Sequence, residues 1–371
     1  MVADFYVPSV GGVEVITKML AQYYVKKGHE VQVITSRLKN TLPYEENGGI
    51  KIYRVGVPVA YGRYLFILFA FLKILEVGRN VDMINTNTYV SALPAWLASK
   101  ILRKPCIINF YEAYGGLWLQ ILKTRKHIAF LIMFLERLLA FLNYDRIVNI
   151  SDYTRQKLMS WGVPEKRISI IHTSVDYSIF KPERANRARV RKKLKLRDKF
   201  VFAYYGRPAF TKGIEYFIRA MPDILKEVKN AKFMLMLNRD PLIKYNELMQ
   251  LIKKLNLEDD VILLDPVSRS ELPDYVASMD CVVIPSIGES FSIVAAEACA
   301  MGKPVVISRT AALAVSGKYL ISEPGDSKSV AEACIKVYKK KYIRSKLRYF
   351  LIENTAENYL KLFRNVLKEK N

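Results

Sequence analysis

Two carboxylates eight residues apart, Glu289 and Glu297, and two cations five apart, Arg207 and Lys212, are the groups whose types and spacing suit chemistry on a polar ligand. The carboxylates lie in I-P-S-I-G-E-S-F-S-I-V-A-A-E-A-C-A-M-G-K-P-V-V-I, residues 284–307. The pattern predicts an apolar strand ending at Ile284, a polar turn, a helix from about Phe291 to Met301 and a second strand from Val305. The N–H groups of Ser290, Phe291 and Ser292 would point out of the helix start, where the helix dipole favours an anion or an oxygen-rich ligand. Were the whole span helical, the two carboxylates would stand about 12 Å apart along the axis. Glycoside hydrolases need their acid and base roughly 5–5.5 or 6.5–9.5 Å apart. The pair therefore reads as two ligand grips. A solvent-facing Glu beside a Glu at a helix start is the bland alternative, open while the stretch stands alone.

Arg207 and Lys212 lie in G-R-P-A-F-T-K-G, between an apolar strand (Phe200 to Tyr204) and a helix (Ile214 to Met221). That puts a guanidinium, which grips phosphate bidentately, and an ammonium, which acts as a point charge, at a strand's carboxyl end. Gly11 and Gly12 follow a short strand, Val2 to Phe5, and open a helix from Val13 to Lys27. They would let backbone approach a phosphate-type ligand, although a diglycine alone is weak evidence. Tyr111, Glu112 and Tyr114, in Y-E-A-Y-G-G, follow the strand Cys106 to Phe110.

The elements that must position these groups alternate strand and helix along the chain, the pattern of parallel sheets. Ligands of such sheets bind outside the strands' carboxyl ends. The 371 residues fit two domains of roughly 180 residues. A hydrophobic content of 51% with 25% charged residues is a globular balance. The net charge of +23 points to an anionic partner, and no nucleic-acid signature is present. Four cysteines without ligand spacing read as core residues of a reducing compartment, and three histidines are too few for a histidine-rich metal site. No stretch approaches 20 uncharged apolar residues and none resembles a signal peptide, so neither a membrane span nor a leader is expected.

With both motifs in view, the chain resembles the retaining glycosyltransferases of family 4, and the likeness is strongest over 1–35, 145–182 and 200–310. The resemblance implies an α/β, GT-B fold: two doubly wound Rossmann-like domains facing across a cleft. Its expected divisions are an acceptor-side domain over 1–180, a nucleotide-sugar domain over 181–345, and a helix over 346–371 crossing back to the first. Carried over, Glu289 contacts the donor sugar and Glu297 the ribose, while Arg207 and Lys212 hold the diphosphate. Gly11 and Gly12 approach the donor diphosphate and acceptor, and Ser290, Phe291 and Ser292 line the donor site. Arg207, Lys212 and Glu289 are the expected catalytic set, and Tyr111, Glu112 and Tyr114 the acceptor side. The first strand would be several residues longer, beginning upstream of Met1.

Several positions depart from the family. Relatives often carry His at Tyr111, Gly at Ser290 and Ser292, a Gly-Gly loop at Ala311-Ala312, and Asn-Gly before Val175-Asp176. The expected activity is transfer of a sugar from a nucleotide-sugar to a hydroxyl of a glycan or lipid-linked acceptor, with retained configuration and without metal or other cofactor. It belongs to cell-surface glycan biosynthesis in the cytoplasm, at the inner face of the membrane. Alternatives are a nucleotide-sugar epimerase, a glycan phosphorylase, or a non-catalytic partner of another glycosyltransferase that binds donor. Helices around Tyr64 to Val77 and Leu117 to Leu142 are apolar almost all round, which suits burial against a sheet over most of their surface. Their basic rim suits peripheral contact with an anionic membrane.

Overall fold

The computed structural model describes residues 1–9, 11–56, 62–122, 125–175, 178–312, 319–340 and 351–370. Asp176, Lys123 and the expected start of the closing helix at Lys346 lie outside them. The chain forms two compact units, Met1–Ser174 with Phe350–Asn371, and Val175–Tyr349.

The first unit begins with β1 (Val2–Ala3), α1 (Gly12–Lys26), β2 (Val31–Ser36), β3 (Tyr44–Asn47), β4 (Ile50–Val55) and α2 (Gly62–Val77). It continues with β5 (Ile84–Asn87), α3 (Ala92–Leu102), β6 (Cys106–Phe110), α4 (Leu117–Ile121) and α5 (Lys126–Phe141). Then come β7 (Arg146–Asn149), α6 (Asp152–Ser160) and β8 (Ile168–Ile170). Strand order is β3-β4-β2-β1-β5-β6-β7-β8, parallel except for β3. β6 is buried along its whole length, so its continuous apolar run fits a central strand covered on both faces.

The second unit carries α7 (Arg187–Lys193), β9 (Phe200–Gly206), α8 (Ile214–Glu227), β10 (Ala231–Leu237), α9 (Leu242–Lys254) and β11 (Val261–Leu264). After these come α10 (Leu272–Ser278), β12 (Cys281–Ile284), α11 (Ile293–Ala300), β13 (Val305–Ser308), α12 (Arg309–Ala312), β14 (Leu320–Ser322) and α13 (Ser327–Tyr338). Its strands run β11-β10-β9-β12-β13-β14, all parallel. α8 turns Ile214, Phe217, Ile218, Met221 and Ile224 inward, the i, i+3, i+4, i+7 stripe of a helix lying on a sheet. The closing helix α14 (Ile352–Lys370) packs on the first unit, where Tyr23 donates to Glu357 at 2.8 Å and Tyr359 to Asn109 at 3.0 Å.

The second sheet has the doubly wound order 3-2-1-4-5-6, and the first, leaving β3 aside, has the same order extended by a seventh strand, β8. In that order the connections leave in opposite directions from the first and fourth strands, opening a crevice between them. The crevice lies between β1 and β5 in one unit and between β9 and β12 in the other.

Several elements differ from the sequence reading. The helix expected over Leu117 to Leu142 is two helices, α4 and α5. The basic helix expected from Ala185 is the shorter α7, capped by Asn186, whose side chain accepts from the Arg189 N–H at 3.0 Å. β3 and β14 were not anticipated. β3 pairs with β4 across Gly48 and Gly49, both at positive φ, so the N-G-G at 47–49 was a readable hairpin signal.

Candidate active site

Lys212 and Glu289 meet at the switch point of the second unit. Lys212 is delivered by the loop after β9 and Glu289 by the loop after β12. The ammonium lies 2.8 Å from both carboxylate oxygens, and Ser286 adds a hydroxyl bond to Glu289 at 3.0 Å. Glu289 is buried and Lys212 half-buried.

The two loops are tied by backbone as well: the N–H groups of Ile287 and Gly288 donate to the Thr211 carbonyl at 2.8 and 3.2 Å. Gly213 makes this approach possible. Its φ is +59°, and a Cβ there would stand 2.2 Å from the Pro285 carbonyl oxygen. From β13 and α12, Ser308 and Thr310 donate to the Ser286 carbonyl at 2.5 and 2.9 Å, fixing the same turn.

Arg207 is exposed at the end of β9, and among the described residues its guanidinium has no ion-pair partner. Its carbonyl accepts from the Tyr204 hydroxyl at 3.3 Å. Burial pushes that phenol well above its ordinary range; Glu289 adds to the rise and Arg207 opposes it, so both charges sit near the Tyr204 ring.

α11 starts later than expected, at Ile293. Ser292 is its N-cap and accepts from the Ala295 N–H at 3.2 Å. The N–H groups opening the first turn are therefore those of Ile293 and Val294, not of Ser290 to Ser292. Ser290 is half-buried and Phe291 buried. Small residues on α11 let it lie flat in the core with Glu297 only 1% exposed.

Burial raises the Glu297 pKa, opposed mainly by Arg269, whose Nη1 lies 2.5 Å from Oε1. The Tyr205 hydroxyl stands beside the carboxylate and also opposes the rise, while donating to the Val294 carbonyl at 3.2 Å. A carboxylate offers about four acceptor sites, more than these neighbours fill, so a ligand hydroxyl can share Glu297. Arg269 leaves the loop after β11 and stacks on the Phe180 ring, 4.8 Å from its centroid.

The remaining expected residues belong to the first unit. Gly11 is the N-cap of α1 in extended conformation, and Gly12 opens the helix. A Cβ on Gly11 would meet only the Glu14 carboxylate, a flexible neighbour. Tyr111 is buried beside Tyr359 of α14, and burial pushes its phenol up to about 12. Glu112 and Tyr114 are half-buried.

The loop after β6 is held from behind by Glu136 of α5. This fully buried carboxylate accepts from the Tyr114 and Gly115 N–H groups at 2.9 and 2.8 Å and from the Tyr89 hydroxyl at 3.0 Å. Burial raises its pKa, and the two backbone donors oppose the rise. At the β1/β5 switch point Asp4 accepts from the Ser91 N–H at 2.7 Å.

Sequence reading missed Arg269, Gly213, Glu136 and Asp4. Gly213 carried a signal, a Lys-Gly pair just before a helix. Glu136, a lone acid in an apolar run, carried another.

Residues 199–340 match the family described as glycosyl transferases group 1, and residues 10–178 match glycosyltransferase family 4. The chain belongs to the family 4 glycosyltransferases. An uncharacterized glycosyltransferase of Methanocaldococcus jannaschii is 29% identical to it over 324 residues, covering 82% of this chain and 78% of the relative. The alpha-monoglucosyldiacylglycerol synthase of Streptococcus pneumoniae is 28% identical over 313 residues, covering 82% and 69%. Among solved structures, Anabaena HepE in complex with UDP-glucose superposes with a TM-score of 0.72 at 19% identity, covering 100% of this chain and 97% of HepE. That likeness supports the fold: this glycosyltransferase has the GT-B architecture of two Rossmann-like domains.

Proposed function

We propose that this glycosyltransferase moves a sugar from a nucleoside-diphosphate sugar to a hydroxyl of a glycan or lipid-linked acceptor, with retained configuration. The observation that carries the reading is the β9/β12 switch point, where Lys212 and Glu289 pair beside Arg207 and buried Glu297, held by Arg269, has acceptor sites that a ligand hydroxyl can share. Glu297 accepts the ribose hydroxyls. Arg207 and Lys212 take the diphosphate, and Glu289, holding Lys212, faces the sugar with Ser290, Phe291 and Ser292 beside it.

In the transfer, the bond from the anomeric carbon to the diphosphate oxygen breaks and a bond to the acceptor oxygen forms on the same face. The acceptor proton passes to the departing diphosphate. The two cations and the α11 N-terminus stabilise the charge that develops there, so electrostatics supplies the catalysis without a metal. Gly11 and Gly12 belong with the donor-binding residues, and Glu112 and Tyr114 handle the acceptor, with Tyr111 supporting them from the core. UDP-glucose bound to HepE and the diacylglycerol product named for the pneumococcal relative support a nucleotide-sugar donor and a glycolipid role in biosynthesis.

The test is incubation with labelled nucleotide-sugars, with and without lipid and oligosaccharide acceptors, and NMR of the product. Label transferred with the donor's anomeric configuration supports the proposal. Sugar interconversion without acceptor would make the protein an epimerase, and an inverted product would overturn the same-face mechanism.

A further inference from the structure

α5 is amphipathic the wrong way round for a helix facing water. Phe130, Leu131, Phe134, Leu135, Leu138 and Phe141 are all exposed, Phe134 by 63%, and their spacing places them on one stripe. Its only carboxylate, Glu136, points inward to the loop after β6. The sequence expectation that most of this helix is buried is therefore wrong. The face covered by the protein is the narrow one bearing Ala129, Glu136, Leu139 and Ala140.

Two neighbours repeat the pattern. α2 and α3 send Phe66, Ala70, Ile74, Ala92, Ala95 and Ala98 into the same core cluster as Leu139 and Ala140, so the three helices cover one face of the first unit's sheet. Outward they expose Leu65, Leu68, Phe69 and Leu72, and Leu93, Leu97 and Ile101. Among the described residues, thirteen of the twenty-two exposed large hydrophobics lie on these three helices, which makes this a patch rather than scatter.

Charge decides what covers it. Arg125, Lys126 and Arg137 are exposed around the α5 stripe, as are Lys100 and Arg103 on and just after α3. Neither of these helices exposes an acid, and the exposed Glu76 of α2 is paired with Lys73 at 2.6 Å. A second copy would bring two such rims together in a chain of net charge +23. An anionic bilayer takes the apolar side chains and neutralises the rim. No described helix is long and apolar enough to cross a membrane.

We propose that the outer face of α2, α3 and α5 docks this protein flat on an anionic lipid bilayer, with the Phe130–Phe134–Phe141 stripe inserted among the headgroups. The surface is independent of the donor chemistry proposed above. Its docking brings the loop held by Glu136 close to the lipid.

The full chain is sedimented with vesicles of phosphatidylcholine alone or mixed with phosphatidylglycerol, at low and high salt. Binding to the anionic vesicles that weakens with salt is expected. The triple variant Phe130→Ser/Phe134→Ser/Leu138→Ser should lose it by about tenfold or more, given three deeply inserted side chains. Leu242→Ser/Ile243→Ser, exposed on the second unit, should bind as wild type does. A Phe134→Cys variant carrying an environment-sensitive dye reports insertion without loss of the rest of the stripe, and its emission should shift blue on anionic vesicles. Three results overturn the proposal: no binding to either vesicle, a dye that stays in water, or a lipid-free dimer that shields the dye.

Discussion

Replacing Arg269 by alanine asks how a carboxylate buried to 1% exposure is kept charged. Burial raises the Glu297 pKa, and the guanidinium at 2.5 Å is the main force against that rise. Removing one partner of a buried pair costs about 3–5 kcal/mol. The Arg269 side chain is 47% exposed, so water already screens part of the attraction, and about 1–2 kcal/mol is expected here. The sign follows from linkage. A carboxyl whose folded pKa lies above its unfolded value, about 4.3, favours the fold at low pH, and that contribution is lost as pH rises through the folded value.

R269A should therefore match wild type at acid pH and fall behind as pH rises, with each extra unit of elevation worth about 1.4 kcal/mol. Nucleotide affinity should move the opposite way. The variant's Glu297 must lose its proton before it can accept ribose hydroxyls from both oxygens, so binding improves with pH along a curve displaced to higher pH. Urea unfolding and calorimetry between about pH 5 and 8 read both trends, and Arg269→Lys should restore most of each. A constant offset in stability and affinity, independent of pH, would refute the reasoning and leave Arg269 as packing on Phe180.

Gly213→Ala should cost more than the about 1–2 kcal/mol of a left-handed residue, because its Cβ would meet the Pro285 carbonyl oxygen at 2.2 Å. Gly302→Ala, also left-handed but facing open space, should cost only the backbone part; urea unfolding compares the two. Glu136→Ala leaves the Tyr114 and Gly115 N–H groups without their acceptor, at about 1–3 kcal/mol each, and faster hydrogen exchange at those amides reports it. Arg207→Ala and Lys212→Ala should each lower kcat with saturating donor by about 2–4 kcal/mol of transition-state stabilisation. Wild-type turnover in both would remove the diphosphate assignment.

The alternation of strand and helix was legible because most strands are short apolar runs and most helices carry a 3.6-residue stripe, whereas the doubly wound fold came with the family resemblance. The loops at the strand ends were legible because Gly, Arg, Lys and Glu interrupt those runs. Long-range pairing was not. Nothing local tells that Lys212 reaches Glu289 across 77 residues, or that Arg269 reaches Glu297 from a different strand's loop. Boundaries slipped where a cap overrode propensity, as at Ser292, which holds the first turn of α11 with its own hydroxyl. The direction α5 faces was misread because an apolar helix that is buried and one that is exposed have the same composition. Only the inward aim of Glu136 distinguishes them.

The central claim is that the carboxyl ends of β9 and β12 grip a nucleotide through Glu297. Calorimetric titration of nucleoside diphosphates and their sugars, UDP-glucose among them, into wild type and Glu297→Ala tests it most directly. At least one nucleotide should bind wild type, and the variant should bind it about tenfold or more weakly, a loss of about 1.4 kcal/mol, while the bound complex turns over at nearly the original rate. Equal affinity in the two proteins, or no nucleotide bound by either, would contradict the account.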